Sequence, residues 1–249
     1  MIEAPQSFVV REESAKAAWQ NGFRRPLGED AGWAMFGSTT ARGTIGIAAD
    51  GTSGAWYLSI DHSGVIEEFD QPGVEMAGPG LRRYSFESLG ELYAALPRVY
   101  QLAASLPDAP LNEFKAKTRD LPTTTETERL IVQRIGQDIF RERLVEYWQG
   151  QCPLTGISDL ALLRASHIVP WKDCTTDVER LDIHNGLLLS ALWDAAFDRG
   201  LVSFGNDGNP IFSDRLSETA RNELQFVKPL RLTRKHHERL AWHRNHILE

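Results

Sequence analysis

The stretch from Cys152 to Phe204, CPLTGISDLALLRASHIVPWKDCTTDVERLDIHNGLLLSALWDAAFDRGLVSF, constrains the chain more than any other. The run Leu160–Ile168 is strand-like, carries His167 at its end, and is broken by Pro170-Trp171. Asn185-Gly186 is a hairpin dipeptide, and Leu187, Leu188 and Leu189 after it read as a short buried strand. Ser190 is an N-cap residue type and Gly200 a helix stop, so the order predicted is strand, loop, strand, helix. On that helix Asp194 and Asp198 stand four apart and share one face.

These pieces resemble the HNH endonuclease family and its ββα-metal finger. The matching residues are ASHIVPW at 165–171, HNGLLLS at 184–190 and the DxxxD of DAAFDRG at 194–200. Upstream, RIGQDIFRERLVEYWQGQCPLTG at 134–156 is similar to the helix that precedes the finger in restriction-type members. The resemblance spans roughly 125 to 215, with its pieces in the family's order. It implies a metal-dependent endonuclease of restriction or defence type acting on double-stranded DNA. Cutting a phosphodiester with water needs an activated nucleophile, charge neutralisation on the phosphate, and stabilisation of the departing oxygen. By carry-over, His167 is the general base, a role that suits a neutral imidazole, and Asn185 keeps the loop and the His oriented.

The same resemblance makes Asp194 and Asp198 metal ligands, at the spacing where nuclease colicins place two His. Carboxylates in place of imidazoles favour a hard cation, Mg²⁺ first and Mn²⁺ second, over Zn²⁺. Ser166 stands where the family often has an Asp or His ligand, and the third letter of HNH is not His here. Such a site has few protein ligands and several waters. His184, Arg199, Lys172 and Arg164 are candidate phosphate contacts, with an ordinary surface role as the alternative. Asp198 near a helix C-terminus opposes the macrodipole, so an ion or Arg199 must offset it. The alternative function is a DNA-binding protein that keeps the finger as a scaffold and does not cut.

The 249 residues suffice for one large domain or two small ones, and no apolar run reaches the ~18–20 residues of a membrane span. The N-terminal MIEAPQSFVVREES lacks a signal-peptide pattern, and two Cys without a CxxC pair suit a reducing cytoplasm and exclude a four-Cys zinc knuckle. The finger must then hold by packing alone. The net charge of −7 argues against a DNA partner until its distribution is read. Residues 1–110 hold 8 Lys/Arg against 14 Asp/Glu, whereas 111–249 hold 19 against 20, with a basic segment at Lys228–Arg244. Local charge, not the total, sets the field that a phosphate meets.

The chain reads as α+β: an N-terminal antiparallel sheet with a helix, then a C-terminal ββα-metal nuclease domain. The expected divisions are 1–110, a target-recognition or regulatory module; a Pro-rich linker, 111–125; and a nuclease domain, 126–249. In the first, a short helix around Glu12–Trp19 and a polar loop at Asn21–Asp30 precede four strands, WAMFGST, TIGIA, AWYLSI and VIEEF. A helix over Ser88–Leu106 follows, with Pro97 inside it. Trp33, Phe36, Trp56 and Tyr57 are core aromatics or a base-stacking surface. Thr125 and Glu128 form a capping box for a helix to Trp148, with Leu130, Ile131 and Ile139 on its core face and Arg129, Arg134, Arg141 and Arg143 on a phosphate-facing or solvated one. Asn206-Asp207-Gly208 turns a hairpin, Ser217–Leu224 is a short helix, and the basic, His-rich tail from Arg231 is a helix touching DNA or a solvated end. A homodimer is left open.

Overall fold

In a computed structural model that describes residues 2–106, 108–122 and 124–249, the chain divides into two compact units, Met1–Ala109 and Pro110–Glu249. Both mix helices with antiparallel strands, so the class is α+β. No helix of the described residues is long and apolar enough to cross a membrane.

The first unit runs α1 (Phe8–Gln20), β1 (Arg25–Asp30), β2 (Trp33–Gly37), β3 (Thr44–Ala49), β4 (Trp56–Ile60), α2 (Ser63–Glu68), β5 (Gly73–Val74), β6 (Arg82–Phe86) and α3 (Leu89–Ser105). The strands form one antiparallel sheet in the order β1-β2-β3-β4-β6-β5. Against β3 and β4 pack α1 and α3, which bury Val10 and Ala17 from one helix and Leu92, Leu96, Val99 and Leu102 from the other. Trp33, Phe36 and Trp56 are buried with them, which makes these aromatics core and not a stacking surface.

Three expectations fail in this unit. The polar loop at 21–30 contains β1, an edge strand exposed at every residue, so it carries no apolar alternation to detect. VIEEF is helical: the His62 ring nitrogen accepts the Val65 amide and caps α2, burying only Val65. The place beside β4 is taken instead by β6, whose Arg82 and Arg83 hide the strand pattern.

The chain passes the boundary within α4 (Asp108–Thr118), and the second unit continues with α5 (Glu126–Tyr147), β7 (Leu163–His167), α6 (Asp177–Leu181), β8 (Gly186–Ser190), α7 (Ala191–Asp198), β9 (Val202–Phe204), β10 (Pro210–Phe212), α8 (Glu218–Glu223) and α9 (Arg234–His246). A helix, α4, replaces much of the expected linker; Thr123 of that stretch lies outside the described residues. Its physical reason is Phe114, buried over Gly136 beside Trp171, together with Glu113, which binds Lys117 at 2.7 Å and Arg143 at 2.6 Å. The capping box at Thr125 starts α5 as expected. Only the C-terminal half of α5 enters the core, through Ile139, Phe140, Leu144 and Tyr147; Leu130 and Ile131 are exposed.

The finger itself is β7 paired antiparallel with β8, followed directly by α7. Leu160–Leu162 is a 3-10 turn and not strand, because Arg141 of α5 binds the carbonyls of Leu160 and Leu163 and bends the chain between them. Asn185-Gly186 is not a hairpin turn. Asn185 ends a 3-10 turn, Ile183–Asn185, and Gly186 is extended at φ −147°. Ser190 occupies the N-cap position of α7 without a side-chain capping bond. At the other end, Gly200 sits at φ +67° and its amide binds Phe197 O at 3.0 Å, while Leu201 N binds Ala196 O at 2.9 Å. This is a Schellman closure, and a Cβ on Gly200 would strike the Ile247 carbonyl. Gly200→Ala is therefore expected to cost more than about 1 kcal/mol in urea unfolding, from the left-handed backbone and the collision together.

The tail is no solvated end. Leu240, His236 and His243 of α9 are buried, and the His243 ring stacks on Phe197 at 3.9 Å and bonds Ser203 Oγ at 3.0 Å. Burial lowers His243 to about 4, against a partial offset from a hydrogen bond to the Phe197 backbone. The unfolded His titrates near 6.5, so between pH 6.5 and 4 the unfolded chain takes up a proton that the native one refuses. Stability from this His is complete above pH 6.5 and is lost as pH falls through that window, at about 1.4 kcal/mol per pH unit. His243→Phe is expected to flatten the loss of unfolding free energy between pH 6.5 and 5 by about one proton, measured by urea titration at each pH.

Candidate active site

On β7 the period-2 alternation sends neighbouring side chains to opposite sides. Ser166 is buried toward α7, where its hydroxyl donates to Asp194 Oδ1 at 2.6 Å. His167 goes the other way and stacks on Phe140 of α5, ring centroids 3.8 Å apart and planes 17° apart, with the Trp171 edge at 5.7 Å. His167 and the Ser166 that holds the Asp194 carboxylate thus stand at adjacent positions of one strand, facing opposite sides of it.

His167 Nε2 lies 2.9 Å from the backbone carbonyl of Arg180. A carbonyl only accepts, so Nε2 carries the hydrogen and Nδ1 is left as the lone-pair nitrogen. Burial lowers this imidazole to about 4; the bond to Arg180 O acts the other way, and Arg239 adds to the lowering. At pH 7 the ring is neutral, oriented by a stack on one side and a hydrogen bond on the other.

The Arg180 carbonyl is available because α6 is five residues long, so its last carbonyls lack helical partners. Asn185 takes the neighbouring one. Its fully buried amide accepts from Val169 N at 2.8 Å and donates to Val169 O at 3.0 Å and Glu179 O at 3.3 Å. Ile168 N donates to Asn185 O at 2.9 Å. Both ends of the 168–185 loop are closed on this one residue. Arg180 holds the rest of the loop, giving hydrogen bonds to Trp171 O, Cys174 O and Asp177 Oδ1.

Asp194 stands in the first turn of α7, where the helix dipole favours a carboxylate, and Asp198 ends the same helix, where it does not. Loss of hydration and then the Asp194 charge push Asp198 up to about 6, with Arg199 pulling it down. Excess negative charge that the protein leaves uncompensated, with oxygen donors only, fits a hard, partly hydrated cation. Among the described residues no group of three or more His, Cys, Asp or Glu could hold a metal. The pair could thus supply only part of a coordination shell, with water for the rest.

The remaining candidates separate. Lys172 and Arg199 are exposed and available to a phosphate. Arg164 is exposed too, although its guanidinium donates to the carbonyls of Ala161 and Leu163. His184 is corrected: it is fully buried, its Nδ1 donating to Asp182 Oδ1 at 2.9 Å, and has no surface from which to touch DNA. Of the α5 arginines, Arg141 and Arg143 are spent on structural bonds. Sequence reasoning missed Phe140, the Arg180 carbonyl and the Asp182–Arg239 ion pair at 2.6 Å. Phe140 had a signal, lying one residue from the buried Ile139 on α5. The carbonyl and the ion pair had none, because a backbone atom and an Arg in a basic tail are not distinguished by residue type.

Residues 152–205, from the loop before β7 to the end of β9, match the family model described as HNH endonuclease. Curated proteins gave no match to the chain. The matched residues fold as two antiparallel strands and a helix, with His167 at the end of the first strand and Asn185 closing the loop. The likeness to the HNH endonuclease family is thus carried by residues 152–205, the finger and its flanks in the C-terminal unit.

Proposed function

We infer that the chain is a divalent-metal-dependent DNA endonuclease of restriction type that cuts double-stranded DNA. The observation that carries the reading is His167, a neutral imidazole fixed by Phe140 and the Arg180 carbonyl with Nδ1 left to accept a proton. Nδ1 takes a proton from the attacking water while Nε2–H stays on Arg180 O, so the ring neither turns nor changes partner during transfer. The imidazolium that forms is stabilised by the same carbonyl. Asp194, steadied by Ser166, and Asp198 would hold a cation, Mg²⁺ by donor type and Mn²⁺ as substitute. A cation bound there supplies charge neutralisation at the phosphate and at the departing 3′ oxygen. Arg199 and Lys172 sit exposed at the helix end and on the loop, where a phosphate backbone can meet them.

Plasmid digestion on plain and modified DNA with Mg²⁺, Mn²⁺ or EDTA tests this. Cleavage is expected with either ion and none with EDTA. His167→Ala should lower the rate by roughly 10²–10⁴-fold with DNA binding intact. Asp194→Ala should abolish metal-supported cleavage and weaken calorimetric Mn²⁺ binding, with Asp198→Ala equal or milder. A His167→Ala variant cutting at the wild-type rate places the base elsewhere. Wild-type binding without any cutting supports the scaffold reading instead.

The first unit, acidic by 8 Lys/Arg against 14 Asp/Glu over residues 1–110, is proposed to choose the target and not to supply bulk affinity. Arg24, Arg25 and Arg82 are exposed on it, and base readout needs geometry more than net charge. Residues 110–249 form a compact unit by themselves, so that fragment is expected to cut DNA with little sequence preference. Identical cut sites from the fragment and the full chain would remove the first unit from target choice.

A further inference from the structure

A second buried polar cluster lies just behind the site, and part of it comes from outside the matched residues. Asp182 follows α6 and precedes the 3-10 turn that carries His184 and Asn185. One carboxylate oxygen accepts the His184 amide at 3.0 Å and His184 Nδ1–H at 2.9 Å. The other accepts Arg239 of α9 at 2.6 Å. The acid is 9% exposed and His184 is fully buried, packed edge-on against Tyr147 of α5 at 5.9 Å and His236 of α9 at 5.1 Å. Burial alone would raise Asp182; His184 and Arg239 outweigh it and hold the carboxyl at about 2. The group is a carboxylate at every working pH, which a buried acid can be only with its partners in place.

The connection to chemistry is two residues long. Arg180, whose carbonyl orients His167, is separated from Asp182 only by Leu181, buried at 1% exposure. On the far side, Asn185 is reached from Asp182 through the turn Ile183–Asn185, whose His184 amide the same carboxylate caps. Both groups that fix His167 and its loop therefore start from Asp182, and Asp182 is anchored by a helix some fifty residues further along the chain. We propose that Arg239 and Asp182 are positioning residues for His167: α9 clamps the segment that presents the Arg180 carbonyl and so selects the imidazole tautomer that leaves Nδ1 free.

The inference rests on the nuclease reading for its meaning, but its test does not. Long-range ¹⁵N–¹H correlation on the full chain, labelled at histidine, reports each ring's tautomer, with His167 assigned by the signals lost in His167→Asn. Wild type is expected to show a single Nε2–H form at His167. Arg239→Met, which keeps the stem and removes the charge, should give mixed tautomers and a kcat lower by about tenfold to a hundredfold at unchanged KM for DNA. Arg239→Lys, which keeps charge and one donor, should restore the single tautomer and most of kcat. A folded Arg239→Met protein with the wild-type tautomer overturns the proposal, even if its activity falls, because the helix then serves stability only. So does an Nδ1–H or mixed tautomer in the wild type, a result that needs no variant to fold. Failure of the nuclease reading is seen separately, as wild-type protein that cuts nothing while the tautomer pattern stands.

Discussion

The close approach of α5 to β8 at Gly186 is the contact on which the site depends. A Cβ there would lie 2.5 Å from Phe140 Cζ and 2.8 Å from Leu144 Cδ1, so only glycine lets the helix come this near. Gly186 is the register partner of His167 across the hairpin. Phe140, pressed onto Gly186, is thereby brought under the His167 ring as its stacking partner. Trp148, the C-cap residue that ends the same helix, donates to the Gly186 carbonyl at 3.4 Å. One missing methyl thus sets the helix-to-strand distance, the stack and the desolvation that keeps the His167 ring neutral.

A two-stranded sheet is marginal by itself in water. Here β8 is buried along its whole length, and Leu187, Leu188 and Leu189 are at 0% exposure, with α5 and α7 both packed on it. Packing fixes the strands but not the 168–185 loop between them, which is polar and long. That loop is organised by donors and acceptors: Asn185, Arg180 and the uncapped end of α6 satisfy one another. The core and the loop therefore divide the task, the first placing the His167 ring and the second fixing which of its nitrogens is free.

What was legible in the sequence was the order of the finger, two strands and a helix, because a Pro-Trp break, a loop Asn, a run of three Leu and a stopping Gly mark its boundaries. What was misread shows where residue type underdetermines cause. Asn185-Gly186 looks like a turn and is instead a loop clasp followed by a close-approach glycine. The Pro-rich stretch after 107 looks like a linker because the burial of Phe114 depends on Gly136 and Trp171, neither of them nearby in sequence. His184 looks like a surface neighbour of Asn185, and its burial is set by Asp182 and Tyr147. In the first unit, β6 hides behind two arginines and α2 behind an apolar start, since local pattern cannot show which segment wins the edge of β4.

Counting basic residues also overstates the positive field. In the second unit Arg141, Arg143, Arg180, Arg239 and Arg244 all give guanidinium hydrogens to the protein's own carbonyls or carboxylates. Bound in this way an arginine keeps its charge but loses the freedom to turn its fork toward a phosphate. Five of the 14 arginines in residues 111–249 are therefore architecture, and the basic count overstates what is free to meet a DNA backbone. Each phosphate neutralised contributes close to one unit of salt slope, so binding by this unit should be less salt-sensitive than its composition implies. The finger compensates at short range, where burial strips His167 of charge on one side of β7 and an unrelieved carboxylate pair accumulates on the other. A neutral acceptor and an excess of negative charge across one strand are the opposed electrostatic settings that a proton transfer and a cation require.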